Sequence, residues 1–197
     1  MPKRILDIVV SALLLIFLMP LFVIIAIIIK LDSRGPILFS QKRIGVGFKP
    51  FTIYKFRTMY SGATQDQQVT AENDTRITKI GGLLRKFKLD ELPQLINVLK
   101  GDMALVGPRP EVPKYVEIYK DEYKKILKLK PGLLDYATID FRDEEKMLSK
   151  YKDPEEAYIK YILPIKMELY KRDIEKRTFY QDLKLILRNV YNIIKYR

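Results

Sequence analysis

From Ile5 to Ile29 the chain reads ILDIVVSALLLIFLMPLFVIIAIII, an almost unbroken apolar run. Whatever this chain folds into has to bury that run in protein or in lipid. At 1.5 Å rise per residue, a helix over it would reach roughly 37 Å, enough to cross a bilayer core. The run is too long for the apolar region of a signal peptide, and no small-residue cleavage site precedes Lys30. It shows no polar face of the kind a surface helix of a soluble domain carries, so membrane insertion is the expectation. Pro20 interrupts its middle, removing a backbone hydrogen bond and clashing with the carbonyl of Ile16. Lys3 and Arg4 precede the run, and Lys30 and Arg34 follow it. A spanning helix should be biased toward cations at one end, whereas a segment entering and leaving one leaflet should be basic at both. Prolines are tolerated in spanning helices too, so the residues alone fit either a kinked span or a re-entrant hairpin.

The 197 residues are enough for one domain with a real core plus a membrane element. Lys and Arg number 36 against 24 Asp and Glu, a formal net charge of +12. That excess points to an anionic partner: nucleic acid, a lipid headgroup surface or a phosphorylated substrate. The chain has no Cys, which removes disulfides, thiolate nucleophiles and cysteine zinc sites. It also has no His, which removes imidazole acid-base chemistry. Any catalysis falls to Asp, Glu, Lys, Tyr or a metal ion. A metal would have oxygen ligands and would be a hard cation such as Mg²⁺.

Past the apolar run, residues 36–60 read as short strands around a turn at Gly45 and Gly47, and FTIYKF alternates between two faces. The glycines lack the spacing of a phosphate-binding loop. Residues 61–75 are polar and read as a loop. ELPQLINVLK has apolar residues at helical spacing and stops at Gly101, which places Asp90 at the N-cap with Glu91 and Pro93 in the first turn. Residues 101–113 read as a proline-stiffened loop. KYVEIYKDEYKKILKLK reads as a helix ended by Pro131 and Gly132, and from about Glu155 the chain is helical and basic. Its last stretch, LKLILRNVYNIIKYR, suits an amphipathic helix lying in a membrane interface, or one packed on the domain. The fold class expected is α+β, mainly helical, with a short β-hairpin.

In a chain this basic, the adjacent acids of KLDELPQL stand out. A capping Asp is commonly structural, yet an ionised carboxylate can also attack phosphorus once cations screen the phosphate charge. Lys55, Arg57, Arg85, Arg109 and Arg142 are the candidate cations, each of which taken singly also fits a solvated side chain. Arg109 lies between two prolines, whose fixed φ limits where its planar fork can point.

The segments SQKRIGVGFKPFTIYKFRTM, LRKFKLDELPQLINVLKGDMALVGPRP and KPG, behind an apolar segment with a central proline, resemble the bacterial sugar transferase family of monotopic polyprenyl-phosphate phosphoglycosyl transferases. The resemblance runs to about Arg142. It implies transfer of a sugar phosphate from a UDP-sugar to polyprenyl (undecaprenyl) phosphate, with release of UMP and with Mg²⁺. It further implies an Asp-Glu dyad at Asp90 and Glu91, with Asp90 as nucleophile and metal ligand and Glu91 in metal support, phosphate positioning or proton transfer. It matches Arg142 to the family's final Arg, and Lys55, Arg57, Arg85, Arg109 and Arg142 are then the substrate-binding candidates. Residues 1–31 would form a re-entrant membrane helix broken near Pro20. Residues 32–197 would form a catalytic domain with C-terminal amphipathic helices, facing the cytoplasm at the bacterial inner membrane and touching anionic lipid. Two departures stand out: Met19 precedes Pro20 where many members have Ser, and PGLLDYATIDFR replaces a PGITGWAQVNGR-like stretch. The charge would also suit a nucleic-acid-binding protein or a non-catalytic membrane-anchored basic scaffold. A nucleic-acid partner is not expected, because the acids at 90 and 91 would repel phosphates without a metal.

Overall fold

The computed structural model describes residues 2–63, 68–135, 137, 141 and 143–195. The apolar run folds into two helices, α1 (Pro2–Phe17) and α2 (Met19–Asp32), bent by 60° at Leu18. Pro20 is the second residue of α2, where its missing N–H leaves the Ile16 carbonyl without a helical donor, and the bend follows. Among the described residues no single helix is long and apolar enough to cross a membrane; only the bent pair has that length and composition.

Apolar side chains line the outside of this bent pair, with Phe17 and Leu31 each 81% exposed. Its inner side corrects the expectation of a helix with no polar face. Lys3, Arg4, Asp7 and Ser11 fall three and four residues apart on α1, and Asp7 and Ser11 are buried against the domain. Arg4 donates to the carbonyls of Val98 and Leu99, and Asp7 accepts from Leu105 N–H at 3.2 Å.

Strands β1 (Leu38–Ile44) and β2 (Pro50–Phe56) pair antiparallel, from Leu38 opposite Phe56 to Ile44 opposite Pro50. The turn between them has Gly47 and Phe48 both left-handed, at φ 62° and 63°, which is the primed geometry that matches strand twist. Helix α3 (Lys79–Lys86) starts at Thr78, whose hydroxyl accepts from Gly81 N–H at 2.9 Å. A 3₁₀ turn (Leu89–Gln94) runs directly into α4 (Leu95–Lys100), which ends at left-handed Gly101.

The segment expected to be a proline-stiffened loop contains a strand, β3 (Ala104–Val106), paired in parallel with β4 (Gly132–Leu134). The backbones approach so closely here that a Cβ on Gly132 would lie 2.1 Å from Gly107 N. The helix expected over KYVEIYKDEYKKILKLK is two helices, α5 (Pro113–Ile118) and α6 (Lys120–Ile126), broken at Tyr119. The Tyr119 hydroxyl donates to the Ile159 carbonyl at 2.9 Å, anchoring that break to the C-terminal half. There, α7 (Glu144–Leu148), α8 (Pro154–Ala157), a π-helical turn (Tyr158–Ile162), α9 (Leu163–Lys176) and α10 (Phe179–Lys195) follow.

Three apolar clusters hold these elements. Ile25 and Ile29 of α2 pack with Phe56 and Leu84. Ile53 of β2 packs with Leu95, Val98, Met103 and Leu105. Tyr115, Tyr123, Leu148, Leu163 and Tyr170 belong to the largest, under the C-terminal helices. The 3₁₀ turn lies where the first two clusters meet: Leu89 joins one and Leu95 the other.

Candidate active site

Lys88 adopts a left-handed conformation (φ 56°, ψ 21°) and turns the chain from α3 into Leu89–Gln94. Asp90 is therefore inside the 3₁₀ turn and caps nothing, which corrects its expected N-cap position: the reversal falls two residues earlier than the helical spacing suggested. Pro93 fits because the fixed φ of proline suits the first turn of a helix.

Glu91 gathers two cations from separate elements. Lys55 Nζ, near the end of β2, donates to Oε1 at 2.8 Å. Arg109, in the loop after β3, donates from Nη2 to Oε1 at 2.5 Å and from Nη1 to Oε2 at 3.4 Å. Lys55 is aimed there because it shares a face of β2 with Ile53, whose side chain packs on α4. The Arg109 loop is braced from β1: Arg43 donates to the Pro110 carbonyl at 3.2 Å and to Glu111 at 3.4 Å, and its other nitrogen reaches Gln41 at 2.8 Å. Glu111 also accepts from the Tyr158 hydroxyl at 2.7 Å, and its backbone carbonyl from Ile44 N–H at 3.0 Å.

Asp90 is built differently. It is only 6% exposed, yet its carboxylate accepts no hydrogen bond from any described residue. Burial pushes this carboxyl up from its ordinary value, and nearby Lys55 offsets part of the effect. Burial acts the same way on Glu91, but Arg109 and Lys55 outweigh it and hold Glu91 well below the usual carboxylate range. Burial lowers the Lys55 ammonium, while Glu91 raises the Arg109 guanidinium well above its ordinary value. The turn thus carries one carboxylate held ionised by two cations and another with free oxygens.

Of the residues expected at the site, Asp90, Glu91, Lys55 and Arg109 come together. Arg85 is close enough for its charge to act on Asp90, and its side chain pairs with Glu145. Arg57 points away: it donates to the carbonyls of Ile29, Ser33 and Arg34 and to the hydroxyls of Ser33 and Ser61, bonding the end of α2 to β2. Arg142 lies outside the described residues. Among the described residues no group of three or more acidic side chains could hold a metal. Glu91 is engaged by cations, which leaves Asp90 as the free hard donor. Sequence reasoning passed over Gln41, Arg43 and Glu111. The signals were there: Gln41 and Arg43 alternate onto one face of SQKRI, and Glu111 directly follows GPRP.

The sequence matches the family model described as bacterial sugar transferase over residues 1–196. It is 39% identical over 194 residues to a UDP-glucose:undecaprenyl-phosphate glucose-1-phosphate transferase of Klebsiella pneumoniae, covering 96% of this chain and 39% of that protein. A protein of the same name from Caulobacter vibrioides is 37% identical over 197 residues, 98% of this chain and 69% of the relative. A UDP-N-acetylgalactosamine-undecaprenyl-phosphate N-acetylgalactosaminephosphotransferase of Aeromonas hydrophila is 41% identical over 143 residues, 70% of this chain and 33% of the relative. The chain spans well under half the length of the Klebsiella and Aeromonas proteins.

Proposed function

The chain belongs to the bacterial sugar transferase family, and on that premise we propose that it moves a sugar phosphate from a UDP-sugar to polyprenyl phosphate, such as undecaprenyl phosphate, with release of UMP. The observation that carries this reading is Asp90: a buried carboxylate with free oxygens, one residue from a Glu91 that two cations hold in place. Burying an ionisable group without a partner is unfavourable, and such groups concentrate where chemistry is done.

In the reaction proposed, a carboxylate oxygen of Asp90 bonds to the β-phosphorus of the UDP-sugar. The bond from that phosphorus to the bridging oxygen breaks, and UMP leaves with the bond's electrons. An oxygen of polyprenyl phosphate then attacks the same phosphorus and returns Asp90 as a carboxylate. Lys55 and Arg109 lie where they can share their charge between Glu91 and the substrate phosphates. Glu91, held ionised at neutral pH, acts by orienting those two cations and not by giving up a proton. The free oxygens of Asp90 suit Mg²⁺, a hard cation that binds through one or two carboxylates together with substrate phosphates. When bound, Mg²⁺ supplies charge that offsets the negative pyrophosphate.

The same reading makes α1 and α2 a re-entrant membrane hairpin that enters and leaves one leaflet of the bacterial inner membrane. The catalytic domain faces the cytoplasm, and the basic flanks of the hairpin meet anionic lipid. Basic residues at both ends of the run and the bend at Leu18 support it. With no native Cys, single cysteines at Lys3 and Ser61 can be labelled in intact cells. Both should be shielded from an impermeant reagent outside, and labelling of only one would overturn the hairpin.

For the chemistry, the test incubates the protein with Mg²⁺ and a panel of UDP-sugars, beginning with the glucose and N-acetylgalactosamine named in its relatives. Without polyprenyl phosphate, intact mass should show a phosphosugar adduct that maps to Asp90. No adduct, and no UMP until acceptor is added, would exclude the covalent route.

A further inference from the structure

Among the described residues, strand β2 has a sheet neighbour on one side only, so backbone groups along its other edge need partners from elsewhere. Asn97 of α4 supplies them. Its Oδ1 accepts from Tyr54 N–H at 3.2 Å, and its Nδ2 donates to the Thr52 carbonyl at 2.7 Å. One carboxamide thus takes the two bonding positions that a neighbouring peptide would take in a wider sheet. Nδ2 also reaches Asp102 at 3.3 Å, and the Asn97 backbone carbonyl accepts from the N–H groups of Gly101, Asp102 and Met103. The residue is 0% exposed, so bulk water cannot replace any of these bonds.

This contact joins the two elements that build the site. Glu91 and Asn97 belong to one continuous run, Leu89–Gln94 followed by Leu95–Lys100, which lies across β2. Lys55 meets Glu91 on the same strand whose edge Asn97 holds at Thr52 and Tyr54. Ile53, Leu95 and Val98 pack between them, but apolar contact has no direction and does not by itself fix how far the run has slid along the strand. The carboxamide does have direction. Its next equivalent position on β2 is two residues away, about 6.6 Å, a slip that would separate Lys55 from Glu91.

We propose that Asn97 is a positioning residue: by bonding both Thr52 and Tyr54 on the open edge of β2, it sets the register at which the Asp90–Glu91 turn meets Lys55. The claim that this register matters for turnover rests on the phosphoryl-transfer reading above. Asn97 acts through Lys55 and Glu91 and touches no substrate.

The test is a double-mutant cycle between Asn97→Ala and Lys55→Met. Asn97→Ala should lower kcat by roughly 10²-fold, the scale of a small misplacement of catalytic groups, while the KM for UDP-sugar changes little. In the Lys55→Met background the same substitution should lower kcat far less. Equal losses in both backgrounds would reduce Asn97 to general packing and overturn the proposal. A readout without turnover separates this from the reaction reading: the ¹³Cε resonance of Lys55 should move in folded Asn97→Ala. An unmoved resonance overturns the register claim even if the wild type releases UMP. A wild type that releases none counts against the reaction alone. If Asn97→Ala does not fold, amide exchange of the wild type decides: Tyr54 N–H should be protected like the amides of α4, and exchange at the rate of an open edge would overturn the proposal.

Discussion

On one side of the Leu89–Gln94 turn, Glu91 is bonded by Lys55 and by both prongs of Arg109, and Arg43 braces the Arg109 loop from behind. On the other side, one residue away, Asp90 is equally enclosed and accepts no hydrogen bond from a described residue. The same physics acts on both, since burial pushes each carboxyl upward. What differs is how far cations answer it: Arg109 and Lys55 outweigh burial at Glu91, whereas Lys55 and Arg85 offset only part of it at Asp90. The Glu91 side is therefore scaffold: its charge is balanced inside the protein, and removing one partner leaves the others exposed to a low dielectric. The Asp90 side holds a charge the fold balances only in part, as a group should be held if its partner arrives with substrate. Substitutions at the two carboxylates should accordingly separate activity from stability.

The largest effect on activity is expected at Asp90. Asp90→Asn is nearly isosteric and should abolish both turnover and the phosphosugar adduct, because an amide is a poor nucleophile. Its stability should not fall. The folded-state pKa of Asp90 lies above the unfolded one, so its contribution is most favourable below the unfolded value and is lost as pH rises. At neutral pH the neutral amide removes that penalty. Thermal unfolding without added metal should give a Tm at or above that of the wild type. A clear drop would mean that Asp90 has a structural partner.

Glu91→Gln should show the opposite pairing of effects. Turnover should fall by roughly 10²-fold, as Lys55 and Arg109 lose the group that aligns them. Stability should fall too, by about 3 kcal/mol, because two cations are left without their carboxylate. Here the sign is reversed: the depressed pKa of Glu91 stabilises the fold above the unfolded value of about 4.3 and that stability is lost as pH falls below it. Denaturant unfolding from pH 7 to pH 3 should therefore show wild type and Glu91→Gln converging at the acid end. A constant gap would place the loss in packing instead.

Arg109→Lys comes next. The charge stays, but a lysine cannot offer the two-pronged contact that Arg109 makes with Glu91. In the proposed reaction the fork also reaches a substrate phosphate. Losing one charge-assisted hydrogen bond to it in the transition state costs about 1.5–3 kcal/mol, so kcat/KM should fall by roughly tenfold or more in a folded protein. Wild-type kinetics would show that the fork is not used.

The contrast between the two sides of the turn was only half visible in the sequence. The apolar helices and their break near Pro20 are legible because the composition is almost wholly apolar and proline interrupts it, and β1 and β2 because Gly45 and Gly47 punctuate alternating strands. The Asp-Glu pair is legible as a pattern. Its geometry is not, since a left-handed Lys88 carries no sequence signal and moves Asp90 off the cap. The pairing of β3 with β4 was hidden because strands of three residues leave no periodicity, and their partners lie far apart along the chain. Asp7 and Ser11 were hidden inside an apolar run whose average drowns single polar residues. Arginines were the hardest to read. Arg57 and Arg109 look alike as solitary cations in short motifs, and only tertiary structure turns one toward Glu91 and the other toward the end of α2.

Arg57 therefore supplies the smallest expected effect on chemistry. Its Nη2 bonds the Ser33 carbonyl at 2.7 Å and hydroxyl at 3.0 Å, and its Nη1 bonds the Arg34 carbonyl at 2.9 Å. Gly35 has to be glycine for this to happen: at φ 129° its backbone is left-handed, and a Cβ would lie 2.1 Å from Arg57 Nη1. These carbonyls follow the last turn of α2, where helix ends leave acceptors unsatisfied, and a planar fork reaches several at once. Lysine offers one nitrogen in place of that fork. Arg57→Lys should leave adduct formation at Asp90 close to wild type, while amide exchange or proteolysis around residues 29–37 rises as the end of α2 loosens from β2. The opposite result, a raised KM for UDP-sugar with residues 29–37 still protected, would return Arg57 to the substrate side. The division between scaffold cations and substrate cations would then have to be redrawn.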